Sequence, residues 1–294
     1  MKICESVREM RAARERMAHG CRVGLVPTMG ALHEGHLSLV RAAKRVCDSV
    51  VVSIFVNPLQ FGPNEDLAKY PRTFARDCEF LEGEQVEVVF APSVEDMYPK
   101  NNITYVSVEG MSEKLCGRSR PGHFRGVTTV VAKLFHIVEP GVAFFGQKDA
   151  AQCAIIRRMV RDLNVPVEIA VGPIVREPDG LAMSSRNAYL GPQERKSALA
   201  LSRALGEMKA CFERGERSSS KLLEAGKLLL SQEAGARLEY LEIVDPDSLE
   251  PVGAVEKTAL AALAAFVGNT RLIDNVLLSP ERHSSDLQSK VLKR

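Results

Sequence analysis

No two cysteines in this 294-residue chain are close enough to form a Cys-x-x-Cys pair. The seven present, Cys4, Cys21, Cys47, Cys78, Cys116, Cys153 and Cys211, are odd in number and widely scattered. That spacing argues against a zinc site or a disulfide framework and fits a reducing cytoplasm. Long apolar runs are missing too. The longest, around Thr258 to Val267, is too short to span a bilayer, so no membrane partner is expected. The N-terminus, Met1-Lys2-Ile3-Cys4-Glu5, carries early charges and no apolar segment of the kind a secretory leader needs. An excess of one charge is also lacking. With a net charge of +2 and no basic run interleaved with aromatics, no nucleic-acid partner is expected. Internal repeats and low-complexity tracts are absent. What remains, 45% hydrophobic and 26% charged residues, is the composition of a globular protein with one large domain or two.

Short runs rich in Val, Ile and Phe at 23–26, 49–56, 86–90, 142–145 and 167–171 read as strands. Amphipathic stretches at 37–45, 74–82, 126–138 and 150–163 read as helices between them. All-apolar strands alternating with helices imply an α/β fold, a parallel sheet covered on both faces, over residues 1–175. Ligands collect at the carboxyl ends of such strands. Beyond the turn signal Glu177-Pro178-Asp179-Gly180 the pattern changes to helices over 193–214 and 218–232, followed by apolar runs. This second region, 176–280, reads as a smaller α+β domain. Within it, 258–267 is ambiguous: its alanines favour a helix, while the Gly268-Asn269 turn and the following Leu-Ile-Asp-Asn-Val-Leu run favour a hairpin. Residues 281–294 read as a polar, flexible tail.

The most informative segment is Val26-Pro27-Thr28-Met29-Gly30-Ala31-Leu32-His33-Glu34-Gly35-His36. A buried strand ends there in a Pro/Gly turn, and a helix over 37–45 follows. A helix N-terminus offers backbone N–H groups and the positive end of the macrodipole. Imidazoles at i and i+3 share a face and can donate to one anion. Two surface histidines after a loop would look the same.

Four other polar clusters stand out. Asn57-Pro58-Leu59-Gln60 ends a strand with two carboxamides, suited to a neutral hydroxyl or to loop capping. Arg118 to Gly126, with Arg120 and His123, is either an anion-facing loop or a solvated basic one. Gly146-Gln147-Lys148-Asp149 sets an ammonium at a strand end, with Gln152 one helical turn later. Met183-Ser184-Ser185-Arg186-Asn187 can wrap phosphate oxygens or cap a helix, although the next helix starts only near Pro192.

Taken in order, these segments with Tyr70-Pro71-Arg72, Met97-Tyr98-Pro99 and Cys116-Gly117 closely resemble the pantoate–β-alanine ligase family, from about residue 3 to about 278. That family belongs to the His-x-x-His nucleotidyltransferases, and Met183-Ser184-Ser185-Arg186 resembles their Lys-Met-Ser-Lys-Ser loop. The resemblance implies a cytoplasmic, homodimeric enzyme with a Rossmann-like domain and a C-terminal lid hinged near 177–180. It implies activation of (R)-pantoate by ATP to pantoyl adenylate, then displacement of AMP by β-alanine. His36, His33, Lys148 and Arg186 would be catalytic, with His36 as proton donor. Met29, Gly30, Gly146, Gln147, Asp149, Val175, Met183, Ser184 and Ser185 would complete the nucleotide site. Gln60 and Gln152 would hold pantoate, with Asn57, Arg120 and His123 as further substrate contacts. Mg²⁺ would arrive with ATP, without assigned protein ligands; Asp77 is a candidate outer-sphere neighbour. A nucleotidyltransferase that stops at the adenylate, or a nucleotide-binding regulator, would share parts of this pattern.

Overall fold

The computed structural model describes residues 1–63 and 65–280, so the expected tail lies outside the described residues. Two compact units emerge. The first comprises Met1–Gln147, Gln152–Val175 and Met183–Ser185; the second comprises Lys148–Ala151, Arg176–Ala182 and the chain from Arg186 onward.

The first unit is built on six parallel strands: β1 (Lys2–Cys4), β2 (Val23–Thr28), β3 (Ser49–Ile54), β4 (Val88–Phe90), β5 (Val142–Gly146) and β6 (Glu168–Gly172). Their order is β1-β4-β3-β2-β5-β6. The connecting helices are α1 (Val7–Glu15), α2 (Glu34–Lys44), α3 (Phe74–Gly83), the short α4 (Val94–Met97) and α5 (Cys116–Ser119), α6 (His123–Val138) and α7 (Ala150–Asp162). Val26, Val50, Val52, Val142 and Phe144 pack on Leu39, Val40 and Ala43 of α2 and on Leu81 of α3. Leu25, Val51 and Ala143, which point the other way, are equally buried. Burial on both faces explains why these strands are apolar throughout rather than alternating. The chain runs from β2 to β3 on one side, and β5 later returns to β2's other side. That reversal opens a crevice at the carboxyl ends of β2 and β5, at Thr28 and Gly146.

Local differences from expectation have local causes. α2 begins at Glu34, three residues earlier than its apolar spacing indicates, because His33 caps it. β1 and α1 went unread. β1 is a three-residue edge strand paired only with β4, and α1 buries just Met10 and Ala13. No helix among the described residues is long and apolar enough to cross a membrane.

In the second unit, β7 (Ala236–Val244), β8 (Ala259–Val267) and β9 (Thr270–Leu278) form an antiparallel sheet. α8 (Pro192–Glu213) and α9 (Ser219–Ser231) share a core with it. The alanine-rich run is therefore a strand, turning at Gly268 with φ +56°. Its propensity is overridden by full-length pairing on both edges, and its alanines oppose Ala198, Ala200 and Ala204 of α8 in one core. Small residues on both elements let helix and sheet approach closely.

One buried charge ties this unit together. Asp274 is 3% exposed and accepts both Arg176 Nη1 (2.7 Å) and Nη2 (3.0 Å). Removing the arginine leaves a buried carboxylate without its partner, a loss of about 3 kcal/mol. Urea unfolding of Arg176→Ala should show a clearly lower midpoint, while Asp274→Asn paired with Arg176→Met should recover part of it. An unchanged midpoint for the single variant would mean the pair contributes nothing.

Candidate active site

β2 ends in a turn tied down by its own side chains. Thr28 Oγ1 donates to Ser53 O (2.7 Å) and accepts Gly30 N–H (3.1 Å). Gly30 and Ala31 are both left-handed, with φ +81° and +50°. The chain then enters α2 through a reciprocal cap made of two imidazoles. Gly35 N–H donates to His33 Nδ1 (3.2 Å), and His33 N–H donates to His36 Nδ1 (3.3 Å). The rings lie 4.1 Å apart.

This cap decides what the histidines can do. A ring nitrogen that accepts carries no hydrogen, and an imidazolium has no accepting nitrogen. In the cap as formed, each ring accepts at Nδ1, which leaves Nε2 as its donor position. The expected backbone anion site is largely used up, since Gly35 N–H is in the cap and the N–H groups of His36 and Leu37 bond to His33 O (2.8 and 3.2 Å).

The end of β3 carries a second network. Asn57 is 1% exposed. Its Oδ1 accepts Tyr98 Oη–H (2.9 Å) and Leu59 N–H (3.3 Å), and its Nδ2 donates to Gly126 O and Gln60 Oε1 (both 3.1 Å). Burial pushes the Tyr98 phenol far above its ordinary pKa, so it stays a donor. Asn57 therefore spends its amide inside the fold, positioning Gln60 rather than reaching a ligand. Gln60 Nε2 in turn lies 3.1 Å from Met29 Sδ, which brings the carboxamide beside the β2 turn. Gly126 lets the 3-10 turn Pro58–Gln60 sit against α6: a Cβ there would lie 2.2 Å from Leu59 O.

Arg120 and His123 extend this network. His123 Nδ1 donates to Gln60 O (2.8 Å), leaving Nε2 to accept from Arg120 Nη1 (3.0 Å). Arg120 is held by Glu65 through Nε (2.7 Å) and Nη2 (2.5 Å). Glu65 was not anticipated, because a carboxylate 55 residues from its partner leaves no local pattern.

Met183, Ser184 and Ser185 also belong to the first unit. Ser185 Oγ donates to Ala31 O (3.1 Å), and Met183 N–H donates to Val175 O (3.0 Å). Val175, the Met183–Ser185 segment and the histidine turn are thereby brought together. Gly146 ends β5, Gln147 begins the following 3-10 turn, and Gln152 lies in the first turn of α7, half-buried.

Within the second unit, Lys148 Nζ is 3.6 Å from Asp149 Oδ2. Lys148 O accepts Asn275 Nδ2 (3.0 Å), and Asn275 is 3% exposed. Arg186 lies in the 3-10 turn Ser185–Tyr189, which occupies the stretch read as irregular. The expected hinge is well fastened inside this unit. Arg195 of α8 binds Glu177 (2.6 Å) and Asp179 (2.7 Å), and Asn187 Nδ2 donates to Glu177 Oε1 (2.7 Å).

Asp77 is not placed as a metal neighbour. It is 1% exposed, and its oxygens accept Ala31 N–H (2.9 Å), Leu32 N–H (2.8 Å) and Thr73 Oγ1–H (3.1 Å). Among the described residues no three His, Cys, Asp or Glu side chains gather to hold a metal.

A family model described as pantoate-beta-alanine ligase matches residues 2–277. The chain belongs to the pantoate-beta-alanine ligase family. It is 59% identical over 279 residues to the pantothenate synthetase of Koribacter versatilis, covering 95% of this chain and 96% of that one. The crystal structure of pantothenate synthetase from Thermus thermophilus superimposes with a TM-score of 0.91 at 47% identity, covering 95% and 100% of the two chains. A pantoate-beta-alanine ligase from Francisella tularensis, complexed with beta-gamma ATP and beta-alanine, superimposes with a TM-score of 0.79 at 34% identity, covering 94% and 97%. The ligase resemblance thus holds over nearly the whole chain, and with it the expected α/β architecture, a parallel sheet followed by a smaller C-terminal unit.

The Glu65–Arg120 pair in this ligase fold has a measurable signature. Burial pushes the Glu65 carboxyl up, but hydrogen bonds and charge from Arg120 outweigh it, so its pKa lies below the ordinary value. A depressed folded pKa adds stability above the unfolded value of about 4.3. That stability is lost as pH falls through the folded value. Glu65→Gln should therefore lose stability less steeply than the wild type as pH drops from about 5 to about 3. Parallel pH–stability curves would show that the pair contributes nothing.

Proposed function

We propose that the histidine pair at the β2–α2 turn, together with Lys148 and Arg186, carries the adenylation step of this ligase. The chain condenses (R)-pantoate with β-alanine to pantothenate, converting ATP to AMP and pyrophosphate. A pantoate carboxylate oxygen attacks the α-phosphorus and pyrophosphate leaves. The amine of β-alanine then attacks the acyl carbon of pantoyl adenylate, loses a proton, and AMP departs. No enzyme-bound acyl group is needed, because AMP is the leaving group.

Attack at phosphorus gathers charge on oxygens, so positioned donors and cations do most of the work. The observation that supports the proposal is the cap, in which each Nδ1 accepts a backbone N–H and Nε2 remains the donor position of the ring. In that arrangement both rings stabilise α-phosphate oxygens by hydrogen bonding, with His36 as the donor nearest the reaction. Lys148 neutralises phosphate and carboxylate oxygens, while Ser184, Ser185 and Arg186 hold the departing pyrophosphate. Met29, Gly30, Gly146, Gln147, Asp149, Val175 and Met183 shape the nucleotide pocket. Gln60 and Gln152 meet the pantoate hydroxyls, and Asn57, Arg120 and His123 keep Gln60 in place. Mg²⁺ accompanies ATP, held by phosphates and water, a state it readily keeps. EDTA should therefore abolish turnover.

The second unit, which contributes Lys148 and Arg186, acts as a lid shielding the mixed anhydride from water. A change in small-angle scattering on ATP binding would report its closure. The enzyme is a cytoplasmic homodimer in this proposal, in keeping with its cysteines being unpaired in disulfides and with Ile103 (87% exposed) and Tyr105 (43%) being exposed two positions apart in the chain. Sedimentation equilibrium reads the mass, and cell fractionation reads the compartment.

The direct test is pyrophosphate release from ATP, Mg²⁺ and (R)-pantoate. A pantoate-dependent burst should become steady turnover to AMP and pantothenate when β-alanine is added. No pantoate-dependent pyrophosphate from protein that binds ATP would overturn the substrate assignment. His36→Ala and Lys148→Ala should each slow the burst at least about a hundredfold, the scale for losing one preorganised donor. Near-normal bursts in folded variants would remove those residues from the mechanism.

A further inference from the structure

We infer that Asp77 is a positioning residue for the adenylation step, acting through the backbone of the β2–α2 turn to set the tautomers of His33 and His36. The inference rests on the roles proposed above for the two imidazoles. Asp77 lies in the first turn of α3, far from them in sequence, and is almost wholly buried. Each carboxylate oxygen takes one successive backbone N–H, Oδ2 from Ala31 (2.9 Å) and Oδ1 from Leu32 (2.8 Å). Thr73 Oγ1 donates to Oδ1 (3.1 Å) and fixes the carboxylate's rotation.

Two successive N–H groups can converge on one carboxylate only if the chain turns sharply. The left-handed pair Gly30 (φ +81°) and Ala31 (φ +50°) supplies that turn. Alanine is seldom left-handed, so its conformation must be enforced by its surroundings. The clamp is fitted to glycine as well: a Cβ at Gly30 would stand 3.0 Å from Asp77 Oδ2 and 3.1 Å from Ile54 Cγ2.

The next residue after Leu32 is His33, whose backbone N–H must point at His36 Nδ1 and whose own Nδ1 must face Gly35 N–H. These cap bonds are 3.3 and 3.2 Å long, with little reach to spare. A rotation of the Leu32–His33 peptide would break the first and free the rings to exchange tautomers. Asp77 holds the two preceding peptides and so controls that rotation. Its two acceptors are both required. Asparagine offers one carbonyl oxygen and turns an NH₂ toward a backbone N–H, so it cannot replace the clamp.

The test uses the full chain labelled with ¹⁵N-histidine, read first without substrates. Wild-type His33 and His36 should each show one protonated nitrogen, Nε2, and one unprotonated nitrogen, Nδ1, assigned with His33→Gln and His36→Gln. In Asp77→Asn these signals should move toward tautomer averaging. The rate of the pyrophosphate burst should fall about thirtyfold, within the range for a displaced catalytic group, with KM for ATP changed less than about threefold. Thr73→Val, which keeps the carboxylate and loses only its orienting hydroxyl, should shift the same signals by less and stands in if Asp77→Asn does not fold. Wild-type ring signals in both variants would overturn the inference, whatever happens to the rate. A lost rate that excess Mg²⁺ restores, with ring signals unmoved, would assign Asp77 to metal-bound water instead. Altered ring signals with an undiminished burst would retain the clamp and overturn the histidines' proposed roles, so the two failures are separable.

Discussion

The turn from β2 into α2 compresses three demands into nine residues. It must leave a buried parallel strand, reverse through two left-handed positions, and start a helix whose cap is built from imidazoles. Backbone N–H groups at such a turn would normally go to water or to a bound anion. Here they are consumed by protein acceptors: Thr28 Oγ1 takes Gly30, Asp77 takes Ala31 and Leu32, His36 takes His33, and His33 takes Gly35. The backbone of the helix end is thereby committed to the fold, and in the proposed mechanism its part in binding an anion falls to the imidazole rings. Ring orientation follows from the cap, so the geometry of the turn decides how the two imidazoles are presented.

The same logic extends to the neighbouring strand. Asn57, at the end of β3, is fully engaged by Tyr98, Leu59, Gly126 and Gln60, and so cannot itself follow a ligand. What it does is hold Gln60 beside Met29 while His123 and Arg120 bind Gln60's carbonyl. A satisfied buried amide is rigid because every alternative rotamer would strand polar atoms. Asn57, which looks like a ligand contact by type, is in the fold a residue that orients its neighbours.

This difference marks the limit of what the sequence discloses. The strand positions were legible because both faces are buried, giving unbroken Val/Ile/Phe runs, and the polar clusters were legible because they interrupt those runs at strand ends. The histidine motif stood out by type and spacing. Direction was not legible. His33 was read as a donor face ahead of a helix, yet it is the cap, which moves the start of α2 to Glu34. Nothing near Asp77 in sequence connects it to Ala31, 46 residues away, and Asn57 meets Gly126 across 69. The alanine run of β8 misled for a different reason: it is buried on both sides, so it has no alternation, and its intrinsic preference is helical.

Asn275 and Asp274 show how polar residues in an apolar strand can be structural and still bear on the site. Asp274 faces the helical core of its unit and anchors Arg176, the first residue after Val175. Asn275, next along β9, holds the carbonyl of Lys148. Adjacent residues on a strand point to opposite faces. The pair therefore fixes the chain on both sides of one strand: the entry to the 176–182 segment on one face, and the lysine's backbone on the other. A lysine is long and flexible, and its usefulness beside a phosphate depends on where its backbone is fixed. The buried amide of Asn275 supplies that fixed point for Lys148, as the carboxylate of Asp77 does for the histidine turn. In both units a short buried polar side chain takes hold of the backbone at a candidate site residue or just ahead of it.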